Sequence, residues 1–370
     1  MKKIAMIGHK RIPTREGGVE VVVEKLAAGM VKRGIRVDAY NRKDKFGREY
    51  KQPSEFEGIR IIRVPTFKMS ALNAFVYSVL ASFRALFGGY DCIHYHAEGP
   101  CAMLWLPKLF GIRTVATIHG LDWQRAKWGG FSTWYLKLGE KTAAKLADEL
   151  IVLSENNKKY FKDTYGRDTH FIPNGAEKRE GDFSPKEITE KFGLNGDDYI
   201  LFLARIVPEK GLHYLIDAYK EIDTDKKLVI AGGLDGGGEY VERIKNSAAE
   251  DERIILADFV CGRTLEELFK NCSLYVLPSD IEGMAMSLLE AISFGAPCLV
   301  SDIPENLEVV GGIMPSFKKG DRESLKSELS RILSGGYSDI RKSESFDKIL
   351  KRYDWDKIVD ETIKLYNLEG

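Results

Sequence analysis

A chain of 370 residues exceeds the ~100–200 typical of one domain, so two domains are expected. Apolar residues make up 44%, enough for two cores, and no run approaches the ~20 uninterrupted apolar residues of a membrane-spanning helix. Net charge is zero, yet residues 1–175 carry 29 Lys and Arg against 17 Asp and Glu, and the remainder 26 against 38. The basic half suits an anionic surface or acceptor, or else reflects solvated helix faces. The opening MKKIAMIGHKRIPTREGG has too short an apolar run and lacks a small-residue cleavage site, so a cytoplasmic location is expected. Five cysteines without CxxC spacing are expected to be buried reduced thiols.

In chain order, β-branched runs at 2–9, 90–97, 114–119, 148–154 and 169–173 alternate with helical patterns such as Gly18–Arg33 and Ser132–Ala147. The second half repeats the rhythm with strand runs at 199–206, 227–233, 253–259, 272–279 and 297–302. This alternation predicts two α/β domains with doubly wound parallel sheets. Residues 1–175 form the first, and residues 176–352 the second, after the turn-rich Ile172-Pro173-Asn174-Gly175. Open parallel sheets bind ligands beyond the carboxyl ends of their strands, so the expected site lies in a central cleft between the domains. Ser70–Phe87 is apolar apart from Arg84 and reads as a buried helix or as an amphipathic helix resting on a membrane.

The densest motif is Pro278-Ser279-Asp280-Ile281-Glu282-Gly283-Met284-Ala285, followed by Glu290. A strand ending at Leu277 and a helix starting near Met284 would offer unpaired amides to phosphate or sugar oxygens. Eight helical residues cover about 12 Å, so Glu282 and Glu290 can bracket an extended ligand, with Glu282 at a transferred sugar and Glu290 at a ribose diol. Viewed singly, either carboxylate reads as a surface residue. A glycosidase pair, at ~5–9.5 Å, is closer than that estimate. At the end of the second domain's first strand, Arg205 can fork onto a phosphate and Lys210 can add a point charge. Pro208 and Gly211 shape the turn between strand and helix.

A strand-end Arg followed by EKG, then PSxxEG with a Glu eight positions beyond its first, resembles the retaining GT-B glycosyltransferases of family 4 across nearly the whole chain. The resemblance implies two Rossmann-like domains, and its tail helix 353–370 returning to the first. It places Arg205 and Lys210 on the donor diphosphate, Glu282 on the sugar and Glu290 on the ribose. It also brings amides of Gly283, Met284 and Ala285 near sugar and phosphate. Gly17 and Gly18, which do not form GxGxxG, match glycines approaching the phosphates, and His119 matches a histidine near the sugar. The base-reading loop falls at Ala257-Asp258-Phe259-Val260, where Asp258 replaces the usual glycine. The GLDWQRAKWG run is similar to a bacterial rhamnosyltransferase-like subgroup, and Trp123, Arg125, Lys127 and Trp128 could contact an acceptor sugar or lipid diphosphate, or simply pack and be solvated.

No DxD motif follows a strand, so catalysis without a metal is expected, with Arg205, Lys210 and helix amides replacing the cation. No cofactor and no nucleic-acid partner are expected. The reading is transfer from a UDP- or dTDP-linked sugar to a saccharide or lipid-linked acceptor in cell-surface polysaccharide synthesis, with retention and possible peripheral membrane contact. The rivals are a GT-B epimerase, a phosphorylase and a non-catalytic sugar-nucleotide binder.

Overall fold

The computed structural model of the protein describes residues 2–14, 17–43, 53–66, 70–124, 130–234, 238–335 and 343–368. The chain divides into two units, Met1–Gly175 with Asp354–Gly370, and Ala176–Tyr353.

The first unit contains strands β1 (Lys3–Ile7), β2 (Arg36–Lys43), β3 (Glu55–Phe56), β4 (Ile59–Pro65), β5 (Cys92–His96), β6 (Arg113–Ile118), β7 (Glu149–Val152) and β8 (His170–Phe171). Between them run helices α1 (Gly18–Lys32), α2 (Ser70–Leu86), α3 (Glu98–Cys101), α4 (Trp105–Leu109), α5 (Gly130–Leu146) and α6 (Glu155–Tyr165). The sheet order is β3-β4-β2-β1-β5-β6-β7-β8, parallel except at β3. The central strands β1 and β5 are buried on both faces, as central parallel strands require, β5 with His94 and His96 among its buried side chains. Between β1 and β5 the order reverses direction. Because crossovers keep one hand, α1 lies on one face and α2 to α6 on the other. That second face buries Tyr77, Ala81, Ala85, Leu104, Ala143 and Phe161 in one cluster.

Helix α2 is buried along one side and exposed along the other. It buries Tyr77, Ser78, Ala81, Ser82 and Ala85, but leaves Leu80, Phe83 and the following Phe87 exposed. Four cysteines are buried, whereas Cys261 is exposed, against the sequence expectation, and all five thiols are free.

The second unit runs α7 (Glu187–Phe192), β9 (Tyr199–Leu203), α8 (Leu212–Lys220), β10 (Lys227–Ala231), α9 (Glu239–Ala249), β11 (Ile254–Asp258), α10 (Gly262–Asn271) and β12 (Leu274–Leu277). It continues with α11 (Met286–Ser293), β13 (Cys298–Ser301), α12 (Pro304–Val310), β14 (Ser316–Phe317), α13 (Arg322–Leu333) and α14 (Ser343–Leu350). Its order is β11-β10-β9-β12-β13-β14, all parallel, with the reversal between β9 and β12.

A last helix, α15 (Trp355–Leu365), begins with Asp354 accepting the Lys357 amide and packs on α1 of the first unit. Its neighbour there is Gly29, where an added Cβ would fall 2.6 Å from a Val359 methyl. The Tyr366 hydroxyl and His94 Nδ1 share a hydrogen bond at 2.7 Å. Tyr353, expected on this helix, instead bonds within the second unit, accepting the Ala176 amide at 2.6 Å. Among the described residues no helix is long and apolar enough to cross a membrane.

Candidate active site

In the second unit the motif residues follow β9 and β12, the neighbouring strands that flank the reversal of strand order. A crevice at such a point is where open α/β sheets hold ligands. The two loops are stitched through their backbones. Asp280 N–H donates to Glu209 O at 2.9 Å, and a Cβ on Gly211 would fall 2.0 Å from the Pro278 carbonyl oxygen. Gly211 also has φ +67, in the left-handed region, so its turn is closed to larger residues on two counts.

Across this stitch Lys210 Nζ donates to Glu282 Oε1, and Ser279 Oγ donates to the same oxygen at 2.7 Å. Side-chain exposures of 13% for Lys210 and 7% for Glu282 make this a nearly buried ion pair rather than a surface one. The sequence reading gave the two residues separate ligands; the fold joins them directly. Arg205 stands exposed just past β9. Glu290 lies on α11, and its charge and that of Glu282 both add to the upward shift that burial imposes on Tyr275. Helix α11 starts at Met286, two residues later than expected, so Gly283, Met284 and Ala285 precede it as loop. Only half of the Glu282–Glu290 interval is then helical, and the 12 Å estimate for a continuous helix does not apply. Val260 follows β11, where Asp258 adopts the left-handed φ of 54 and accepts the Leu234 amide at 2.8 Å. Asp is among the few non-glycine residues that visit that conformation routinely, which is consistent with Asp at a glycine position.

In the first unit the reversal lies between β1 and β5, and three histidines crown adjacent strands: His9 after β1, His96 ending β5 and His119 after β6. His96 Nδ1 and His119 Nε2 share a hydrogen at 3.1 Å. Burial keeps His9 neutral, with its pKa lowered to about 4, and lowers His96 well below its ordinary value. His9 Nδ1 and His96 Nε2 are buried without a partner among the described residues. Gly17 precedes α1, and a Cβ there would meet Glu20 Oε2 at 2.2 Å, while the other Glu20 oxygen accepts the Lys10 amide at 2.9 Å. Gly18 is the first residue of α1.

Two carboxyls that the sequence did not single out lie near the end of β5. Glu98 is fully buried, and burial pushes its pKa up to about 10, aided by the charges of Asp122 and Glu140. Glu140 accepts hydrogen bonds from Trp123 Nε1 at 2.7 Å, Tyr160 at 2.9 Å and Tyr165 at 2.5 Å. Trp123 is thus anchored by its indole N–H, with Lys137 Nζ 4.4 Å from its ring centre. Arg125, Lys127 and Trp128 lie outside the described residues. A polar residue at or just past the end of an apolar run was the available signal for His9, His96 and Glu98, whereas Glu140 lies inside α5 and had none.

Two Rossmann-like α/β units, each with polar side chains at its switch point, are the architecture of the GT-B fold class. The family models agree: "Glycosyltransferase Family 4" matches residues 16–179 and "Glycosyl transferases group 1" matches residues 185–361. The chain belongs to the group 1, family 4-like glycosyltransferases. It is 26% identical to an uncharacterized glycosyltransferase of Methanocaldococcus jannaschii, over 99% of this chain and 98% of that one. It is 28% identical to the UDP-Gal:alpha-D-GlcNAc-diphosphoundecaprenol alpha-1,3-galactosyltransferase of Escherichia coli, over 75% of each. The sucrose-phosphate synthase of Thermosynechococcus elongatus superposes with a TM-score of 0.83 at 20% identity, over 99% of this chain and 98% of that one.

Proposed function

We propose that this glycosyltransferase moves a sugar from a UDP- or dTDP-linked donor to a saccharide or lipid-linked saccharide, with retention and without a metal ion, in cell-surface polysaccharide synthesis. The observation carrying this reading is the Lys210–Glu282 pair across the switch point, with Arg205 exposed just past β9. The relative whose name specifies UDP-Gal and a diphosphoundecaprenol acceptor supports the donor and acceptor classes.

In this mechanism the bond from the anomeric carbon to the diphosphate breaks as the acceptor oxygen bonds to the same face, and the departing phosphate oxygen takes the acceptor's proton. Arg205 and Lys210 neutralise the diphosphate. An ammonium has three donors, so Lys210 can hold Glu282 and a phosphate oxygen together. Glu282 then receives sugar hydroxyls from a position that Lys210 and Ser279 fix. Gly17, Gly18 and the amides of Gly283, Met284 and Ala285 line the donor phosphates and sugar. Glu290 takes the ribose diol, Val260 lies beside the base, and His119 faces the sugar with its ring set by His96. Trp123, Arg125, Lys127 and Trp128 form the acceptor side.

Thermal shift with UDP, dTDP and GDP is the first test, since ligand binding raises apparent stability by mass action. UDP or dTDP should raise the melting temperature and GDP should not. Transfer from the matching sugar nucleotide should need an acceptor and survive excess EDTA. A changed sugar nucleotide without acceptor would make the chain an epimerase, and activity lost to EDTA and restored by Mg²⁺ would overturn the metal-free mechanism.

A further inference from the structure

The first unit carries an apolar surface that the transfer chemistry does not use. Exposed large side chains concentrate on the outer layer: Phe83 and Phe87 at α2, Leu109 and Phe110 at α4, and Phe131 and Trp134 on α5. Phe87 is 88% exposed, Leu109 73% and Trp134 58%. The helices that carry them adjoin, α2 against α4 and α4 against α5, and Phe131 and Trp134 lie ring to ring at 5.8 Å. The Phe75 ring also meets Tyr135 of α5 edge-on at 5.3 Å. Soluble monomers rarely leave so extended an apolar patch bare, and such patches mark interaction sites.

Charge identifies the occupant. Interleaved with Phe131 and Trp134 on the outer face of α5 are Lys137, Lys141 and Lys145, all exposed. The three helices contain one carboxylate, Glu140, and it is buried. A second copy meeting this patch about a two-fold axis would set lysines against lysines. A bilayer with anionic headgroups satisfies both features: the aromatic rings enter the acyl boundary, and the lysine stems lie along it with their ammonium groups at the phosphates.

We propose that the outer face of α2, α4 and α5 docks on an anionic lipid bilayer. This face would hold the first unit beside a membrane in which a lipid-linked acceptor resides, which is the only point where the inference rests on the proposed function. The docking itself depends on no step of sugar transfer.

The test is sedimentation of the full chain with vesicles of phosphatidylcholine alone or mixed in equal parts with phosphatidylglycerol. The parent should pellet with the anionic vesicles, stay in solution with the neutral ones, and be released by salt. The combined variant Lys141→Ala, Lys145→Ala should bind more weakly, on the order of tenfold or more. Phe87→Ser with Trp134→Ser should lose on the order of tenfold or more. Leu307→Ser, which removes an exposed apolar side chain of the second unit, should bind like the parent. These positions are exposed, so far-UV circular dichroism and nucleotide thermal shift should match the parent and show that the fold persists. Docking is overturned if the parent ignores anionic vesicles, or if the lysine and aromatic variants bind as well as it does. It is equally overturned if these variants instead abolish a dimer seen by sedimentation velocity without lipid, or capture of an acidic protein. Sugar transfer assayed with a soluble acceptor reports separately on the catalytic reading.

Discussion

Lys210 and Glu282 are 72 positions apart in sequence, yet they form one nearly buried pair. Breaking such a pair leaves an uncompensated charge, so Lys210→Ala and Glu282→Ala should each destabilise the second unit by about 3 kcal/mol. The double variant should cost less than the sum of the singles, which urea unfolding of the four proteins would show. Toward ligand the two singles diverge. Lys210→Ala should weaken nucleoside diphosphate binding by about 1.5–3 kcal/mol, one to two orders of magnitude. Glu282→Ala leaves Lys210 free for phosphate and should bind the bare nucleotide at least as well as the parent while turning over poorly. Calorimetry showing that Glu282→Ala loses the nucleotide would reverse the donor's orientation. The two motifs were legible because each is local, a strand end followed by charged residues and a glycine. Their mutual contact was not, since no periodicity reports which strand ends adjoin. His9 and His96 stayed hidden for the same reason: only the pairing of β1 with β5 makes them neighbours.

At the scale of elements, apolar strands were legible and polar ones were not. Strand β2 was missed because Arg36, Asp38, Asn41, Arg42 and Lys43 break its apolar pattern. Burial there is offset by partners: Asp38 accepts from Arg60 Nε at 2.9 Å, and Asn41 bonds Ile12 on both its amide groups. Helix α11 was placed two residues early because Met284 and Ala285 are good helix formers, although both fall in the loop before the helix. Gly29 gave no signal either, because its reason is the packing of α15 on α1. Gly29→Val should therefore destabilise the first unit by about 1–3 kcal/mol through overpacking. Adding Val359→Ala should recover part of that loss. A Gly29→Val protein as stable as the parent, or no recovery by the second change, would show that α15 is not held against α1 at this point.

The whole molecule should respond to pH mainly through its first unit. His94 is buried with its pKa lowered to about 3, His9 to about 4, and His96 lies well below its ordinary value. A depressed histidine contributes stability that is present above about pH 6.5 and lost as pH falls, at about 1.4 kcal/mol per pH unit each. Glu98 acts with the opposite sign: the fold holds its proton while the unfolded chain releases it, so stability falls as pH rises from about 4.5 toward 10. Three histidines outweigh one carboxyl below pH 6.5, and above it Glu98 acts alone among these four, so the first unit should be most stable near pH 6.5. All five tryptophans (Trp105, Trp123, Trp128, Trp134 and Trp355) belong to this unit, which makes their emission during urea unfolding a selective readout. Glu98→Gln should flatten the alkaline limb and leave the acid limb in place. A urea midpoint that does not move between pH 6.5 and 5 would mean that the histidines are not held neutral by burial.

The return of α15 to the first unit also sets an order of completion on the ribosome. Domains ordinarily finish folding in the sequence in which they emerge. Here Ala176–Tyr353 is fully synthesised before the first unit has its last helix, since Met1–Gly175 is joined only by Asp354–Gly370. Until then Gly29 lacks Val359 and His94 lacks the Tyr366 hydroxyl. The half that emerges first is closed last, and translation of the intervening second unit is the interval during which the outer face of α1 waits uncovered.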